Sequence, residues 1–227
     1  MRTNLRIEVV QWVLIGAMFV LAVVVWSSAP DRIPVHWGPT GEPDRYGGKV
    51  EGLLLLPLLT LGIYLLMLLL PKMDPRRDNY SSFEGAYGVI RLSTVVFLAL
   101  LYGLVLLWIE GVEPDFAVVV PVLVGGLFVV IGNLLGKIRP NWFVGVKTPW
   151  TLSSRRSWVK THRMAGWTFV LLGLASIGLG LTGAAWAIAA VPAVVLPCIA
   201  WLFVYSYLVW RSDPEKTPET DPREAGS

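Results

Sequence analysis

Charge is scarce in this sequence. Of its 227 residues, 15% are charged and 55% are hydrophobic, whereas a soluble domain carries about 25% charged residues. The deficit excludes an ordinary water-soluble globule, because the apolar residues fall in long runs and not in short periodic stripes. Cysteine is nearly absent. Cys198 stands alone inside one of these runs, which excludes a disulfide framework or a cysteine metal site within one chain. Histidine occurs twice, as His36 and His162. Catalytic signatures are missing too. There is no G-x-S-x-G turn to expose a serine nucleophile and no H-E-x-x-H pair. Gly136-Lys137 lacks the leading glycine and following hydroxyl of a phosphate-binding loop. No catalytic residue, metal or cofactor is expected, and the net charge of +3 does not suggest nucleic-acid binding.

What is present is six apolar stretches: Val9–Trp26, Gly52–Pro71, Leu92–Ile109, Phe116–Gly136, Met164–Thr182 and Ala184–Trp210. A helix of about 18 or more apolar residues crosses roughly 30 Å of hydrocarbon and satisfies its own backbone hydrogen bonds. The expected fold class is therefore all-α, a polytopic integral bundle of about six transmembrane helices in the cell membrane. No run includes an ionised side chain, which argues against a transporter with charged groups at mid-membrane. Arg2 and Arg6 ahead of the first run, and Ser27-Ser28-Ala29 after it, imitate a signal peptide. The run exceeds the usual apolar region of about 7–15 residues, and Pro30 would follow the cut, so an uncleaved first helix is expected.

With six spans, the N-terminus, the second and fourth loops and the C-terminus share one side. Those segments hold fifteen basic residues, and the opposite side holds only Arg32, Arg45 and Lys49. The positive-inside bias places both termini in the cytoplasm. Arg91, at the start of the third span, is expected to snorkel to that side. The acidic loop Glu110–Asp115 fits the outside. The chain then divides into an N-terminal two-helix module, 1–71, with an extracytoplasmic Pro/Gly-rich loop over 29–50. A four-helix module, 72–211, follows with a basic cytoplasmic loop over 137–163, and 212–227 reads as a disordered cytoplasmic tail. Within the spans, Gly132 and Gly136 form a G-x-x-x-G with Gly125 one heptad earlier, expected to pack helices inside the bundle. Asn133 is the most polar residue deep in a span, lining a cavity or bonding a neighbouring helix.

Two loops carry the information. In the outer one, prolines at 30, 34, 39 and 43 and glycines at 38, 41, 47 and 48 favour a compact series of turns. Val35, Trp37 and Tyr46 are expected to pack it on the membrane surface, and His36 either meets a ligand or bonds a nearby backbone group. In the inner one, Pro149 holds Thr148 out of helical geometry, and Ser153 or Ser154 is suited to N-cap a helix running into the fifth span. Trp158 and His162 are then i, i+4 neighbours facing the bundle with Ala165 and Gly166. Arg156, Lys160 and Arg163 lie on another face. Such a face suits lipid or a partner, or else enforces topology and binds anionic headgroups.

Asn141-Trp142-Phe143-x-Gly145-x-Lys147-Thr148-Pro149-Trp150-Thr151-Leu152, followed by Trp158-x-x-Thr161-His162-Arg163, resembles the signature of the SdpI family. Ile33-Pro34-x-His36-Trp37, with Gly41-x-Pro43-Asp44 and Lys49, is similar to the N-terminal module of many members. Lys147 stands where members commonly carry arginine; it keeps the charge and loses the bidentate fork. The resemblance implies immunity against a secreted membrane-damaging peptide toxin outside and, from the founding member, signalling through a transcriptional repressor held at the membrane inside. It implies cytoplasmic partner-binding residues Asn141, Gly145, Lys147, Thr148, Pro149, Trp150, Thr151, Trp158, Thr161, His162 and Arg163. On the outer side it implies ligand-binding residues Pro34, His36, Trp37, Gly41, Pro43 and Asp44. Besides membrane lipids, the toxin and the repressor are the partners expected. The competing readings are a small-molecule or ion transporter, or a membrane enzyme with His162 as general base.

Overall fold

The computed structural model describes residues 5–215. Six helices among them are long and apolar enough to cross a membrane, each of 20 to 27 residues. They are α1 (Leu5–Val25), α2 (Lys49–Met73), α3 (Glu84–Ile109), α4 (Phe116–Leu135), α6 (Arg155–Leu181) and α7 (Ala187–Arg211). The short helix α5 (Pro149–Ser153) precedes α6, and a 3-10 turn covers Arg77–Ser82 between α2 and α3. The chain is a multi-pass membrane protein. Its helices leave large apolar side chains exposed along their outer surfaces, Val13, Val20, Leu58, Leu66 and Leu196 among them, as hydrocarbon solvent permits.

Helices extend beyond the apolar runs. Adding a residue to an existing helix gains a backbone hydrogen bond without a new nucleation cost, so each helix continues through flanking polar residues. Glu8 is thereby drawn into α1 and Arg91 into α3.

The outer loop is not a string of turns. Strand β1 (Ile33–Trp37) pairs antiparallel with β2 (Pro43–Gly47), with Ile33 opposite Gly47 and Trp37 opposite Pro43. A two-stranded ribbon leaves one edge of each strand unpaired, so prolines fit where an inner strand would reject them. The connecting turn closes with Gly38 N–H donating to Glu42 O at 2.8 Å and Gly41 N–H to Gly38 O at 3.0 Å. Gly41 has φ +84°, and a Cβ there would lie 2.8 Å from the Ala117 nitrogen. Only glycine combines that conformation with that approach to α4.

The tightest helix pair is α4 with α6. A Cβ on Gly132 would lie 2.8 Å from Gly166 O, one on Gly125 2.5 Å from Gly173 O, and one on Gly180 2.9 Å from Val118 O. The matched positions step by seven in opposite directions, the signature of antiparallel helices meeting backbone to backbone. The expectation that glycine packs the bundle holds for Gly125 and Gly132. Gly136 meets nothing within 4 Å, so heptad spacing, not the G-x-x-x-G, makes the contact. Asn133 is exposed and bonds Val129 O of its own helix at 2.8 Å, in place of a partner on a neighbouring helix.

Candidate functional site

Two opposite ends of the bundle collect the residues singled out from sequence. At the end carrying the β-hairpin, Ile33 is fully buried against α2, where a Cβ on Gly52 would lie 2.6 Å from it. Trp37 stacks on Phe116 of α4 with ring centres 4.2 Å apart and planes 20° from parallel. Tyr46 meets Trp108 edge-on at 6.3 Å. These rings therefore pack on the ends of α4 and α3. His36 Nδ1 lies 2.5 Å from Asp44 Oδ1, and both side chains are at least half exposed. The two strands thus bring together a pair eight residues apart, in place of the backbone partner expected for His36. Arg45 pairs with Glu51 at 2.8 Å.

The Trp37–Phe116 stack divides two hollows. One, of about 520 Å³, is lined by Gly41, Glu42, Pro43, Tyr46, Trp108, Glu113 and Asp115. The other, of about 320 Å³, is lined by Pro34, Val35, His36 and Glu51 and by Leu55, Leu59, Leu101, Val105 and Val120. Both share Trp37 and Phe116. One side of the stack is polar and acidic; the other is almost wholly apolar.

At the opposite end, residues 137–154 fold back on themselves. Asn141 is completely buried, and its Oδ1 accepts from the N–H groups of Phe143 and Val144 at 2.9 and 2.6 Å. Its amide group donates to Arg139 O and Val144 O at 2.9 and 3.0 Å. Thr148 N-caps α5 through a reciprocal capping box with Thr151, and Pro149 occupies the first turn. Thr148 Oγ1 also lies 2.9 Å from Ser206 Oγ of α7. Trp150 packs on Phe203 and Tyr207 with ring centres 4.8 and 5.1 Å away. Ser154 caps α6 by accepting from Ser157 N–H at 2.9 Å. Its hydroxyl donates to Asp213 Oδ2, so the first residues after α7 are tied to the start of α6; residues 216–227 of the expected tail lie outside the described residues.

Trp158 and His162 are buried to 0% and 1%, stacked at 4.0 Å. Trp158 Nε1–H donates to Ile138 O at 2.9 Å. His162 Nδ1 bonds Trp158 O at 2.8 Å, and Nε2 accepts from Val146 N–H at 3.1 Å. That pattern selects the neutral tautomer protonated on Nδ1. With both nitrogens engaged, His162 offers no free lone pair to a substrate. Thr161 is buried beside it, its hydroxyl without a partner among the described residues. Gly145 has φ +108°, where a Cβ would meet His162. Lys147 and Arg163 are exposed. Asn141, Thr148, Thr151, Trp158, Thr161 and His162 are therefore interior groups, and Lys147, Pro149 and Arg163 form the surface around them.

Sequence reasoning missed Asp74. It is 2% exposed, and Oδ2 accepts from Trp142 N–H at 2.9 Å and Tyr80 O–H at 3.0 Å. Burial and then the Asp74 carboxylate push the Tyr80 hydroxyl pKa upward. Arg76 Nη2–H donates to Leu152 O at 3.0 Å and Asn79 Nδ2–H to Pro140 O at 2.7 Å, so the α2–α3 connection latches the segment. Only the polarity of 72–85 hinted at this, since its partners are more than sixty residues away. Arg91, expected to snorkel, is 1% exposed and paired with Glu8, a partner that sequence reasoning did not name.

The segment just described, continued through α6 and most of α7, matches the SdpI/YfhL protein family over residues 137–206. Residues 13–61, carrying the hairpin between α1 and α2, match Domain of unknown function (DUF1648). The Immunity protein SdpI of Bacillus subtilis (strain 168) is 21% identical over 166 residues, covering 73% of this chain and 77% of that protein. An uncharacterized protein of Archaeoglobus fulgidus is 31% identical over 83 residues, covering 34% of this chain and 45% of that one. No solved structure matches. The matched residues 137–206 thus contain the whole latched fold from Asn141 to His162 and, on α7, Phe203 and Ser206, which Trp150 and Thr148 touch. The DUF1648 match contains Pro34, His36, Trp37, Gly41, Pro43 and Asp44. α3 and α4 lie wholly between the two.

Proposed function

We propose that this chain is an SdpI-like immunity protein of the cell membrane, protecting against a secreted membrane-damaging peptide. In this reading the hairpin face is extracytoplasmic, the 137–163 segment and both termini are cytoplasmic, and the peptide is met by Pro34, His36, Trp37, Gly41, Pro43 and Asp44. The similarity to Immunity protein SdpI over 73% of the chain carries the reading. The hairpin geometry supports it: an acidic hollow and an apolar hollow meet at one aromatic stack, an arrangement suited to an amphipathic ligand. The exposed Lys147, Lys160 and Arg163, beside exposed Trp142, are the surface on which a repressor would be held at the membrane. The asymmetry of basic residues supports the orientation.

The test is expression in a toxin-sensitive Gram-positive strain, followed by the secreted peptide and measurement of membrane potential and survival. Wild-type protein should keep the membrane polarised. A Trp37→Ala variant at equal membrane levels should not. Depolarisation in cells carrying abundant wild-type protein would reject the immunity reading.

A further inference from the structure

The pair Glu8 and Arg91 has no part in either face described above. Arg91 Nη2–H donates to Glu8 Oε1, and the other carboxylate oxygen accepts from the Tyr64 hydroxyl of α2 at 2.7 Å. The guanidinium carbon lies 5.6 Å from the ring centre of Tyr64 and 6.0 Å from that of Tyr87. Three helices therefore converge on one ion pair. On α1, Glu8 continues the inward stripe Gln11, Ile15, Met18 and Ala22; on α3 the stripe is Tyr87, Arg91, Val95, Leu98 and Tyr102.

This cluster is incompletely paired. Arg91 Nε and Nη1 have no acceptor among the described residues, although Arg91 is 1% exposed. Gln11, 0% exposed and one turn beyond Glu8, donates its amide to Ile7 O at 3.1 Å, while its Oε1 has no donor. Donors without an acceptor and an acceptor without a donor thus lie on one seam. In a hydrocarbon surround such groups are far costlier to leave unpaired than on a wetted surface. An ionisable residue within a span is also, by default, a site rather than packing.

The chemistry of the missing partner is restricted. Glu8 already balances Arg91, so an added anion would leave uncompensated negative charge inside the membrane, and an added cation would face the guanidinium. What fits is neutral, small, able to accept from Arg91 and to donate to Gln11. Water meets all four conditions, with enough polar partners to be held. The Glu8 side chain is 15% exposed, against 1% for Arg91.

We propose that Glu8, Gln11, Tyr64 and Arg91 form a hydration site inside the membrane, where bound water bridges α1 to α3. The site is independent of the immunity reading. It is tested on the full chain in lipid bilayers, labelled with 15N-arginine, by water-edited solid-state NMR with water as the probe. The Arg91 Nε signal is assigned by its loss in Arg91→Lys. In the wild type it should gain polarisation from water as quickly as the exposed arginines, within a factor of about two. Transfer as slow as that to the buried Val95 amide, labelled in a second sample, overturns the proposal. In Gln11→Leu the transfer to Arg91 should slow at least threefold; unchanged transfer shows that Gln11 is no part of the bridge and overturns it as stated.

Discussion

Gly145 and His162 fit together only because glycine has no side chain. A Cβ at Gly145 would run into His162 Nε2, at a backbone φ of +108°. The same nitrogen accepts from Val146 N–H, so the clash would break the bond that orients the ring. Gly145→Ala should lower stability by at least about 2 kcal/mol, since a side chain in that backbone region alone costs about 1–3 kcal/mol. Denaturant unfolding in mixed micelles measures it. An unchanged midpoint would show that the 143–146 turn can relax.

Asp74 makes a second prediction. Asp74→Ala removes the acceptor of Trp142 N–H and Tyr80 O–H. Each unpaired buried donor costs about 1–3 kcal/mol. The same unfolding assay should register that loss, and limited proteolysis should cut near Trp142 sooner than in wild type. A loss under about 0.5 kcal/mol, typical of surface substitutions, would contradict the latching role.

The α4–α6 contact distinguishes glycines that look alike in sequence. Gly173→Val would bring a Cβ to 2.5 Å from Gly125 O, whereas Gly136→Ala meets nothing within 4 Å. The first should abolish monodisperse protein on size-exclusion chromatography, and the second should leave it unchanged. Equal yields from both would mean that the helices do not approach this closely.

Trp37→Ala should join the two hollows beside Phe116. On the proposed function it should weaken peptide binding about tenfold, which corresponds to about 1.4 kcal/mol. Trp37→Phe keeps an aromatic stack, worth about 0.5–1.5 kcal/mol, and should retain most protection. Isothermal titration with the purified peptide and protein in nanodiscs reads both. Full affinity in Trp37→Ala would remove the hairpin from the ligand site.

Much of the inner segment was legible because its signals are local. Pro149 restricts the residue before it, and Thr148 is extended with φ −124° and ψ 160°. A serine ahead of an amphipathic run caps it, and Ser154 does. A four-residue spacing puts Trp158 and His162 on one face, and they stack. The outer hairpin was not legible. Its prolines and glycines punctuate the chain in either reading, and strand pairing depends on which residues lie opposite, as His36 and Asp44 do.

The sequence by itself determined the class of molecule, the six spans and the positions of the two folded loops. Those properties follow from hydropathy, helix length and the fixed geometry of proline and glycine, each set by neighbouring residues. Tertiary structure alone decided the partners: Asp74 with Trp142, Gly125 with Gly173, Trp37 with Phe116 and Glu8 with Arg91. Each joins residues at least 48 positions apart. Hydrogen bonds, ring contacts and ion pairs act over a few ångströms in space, and distance along the chain does not encode them.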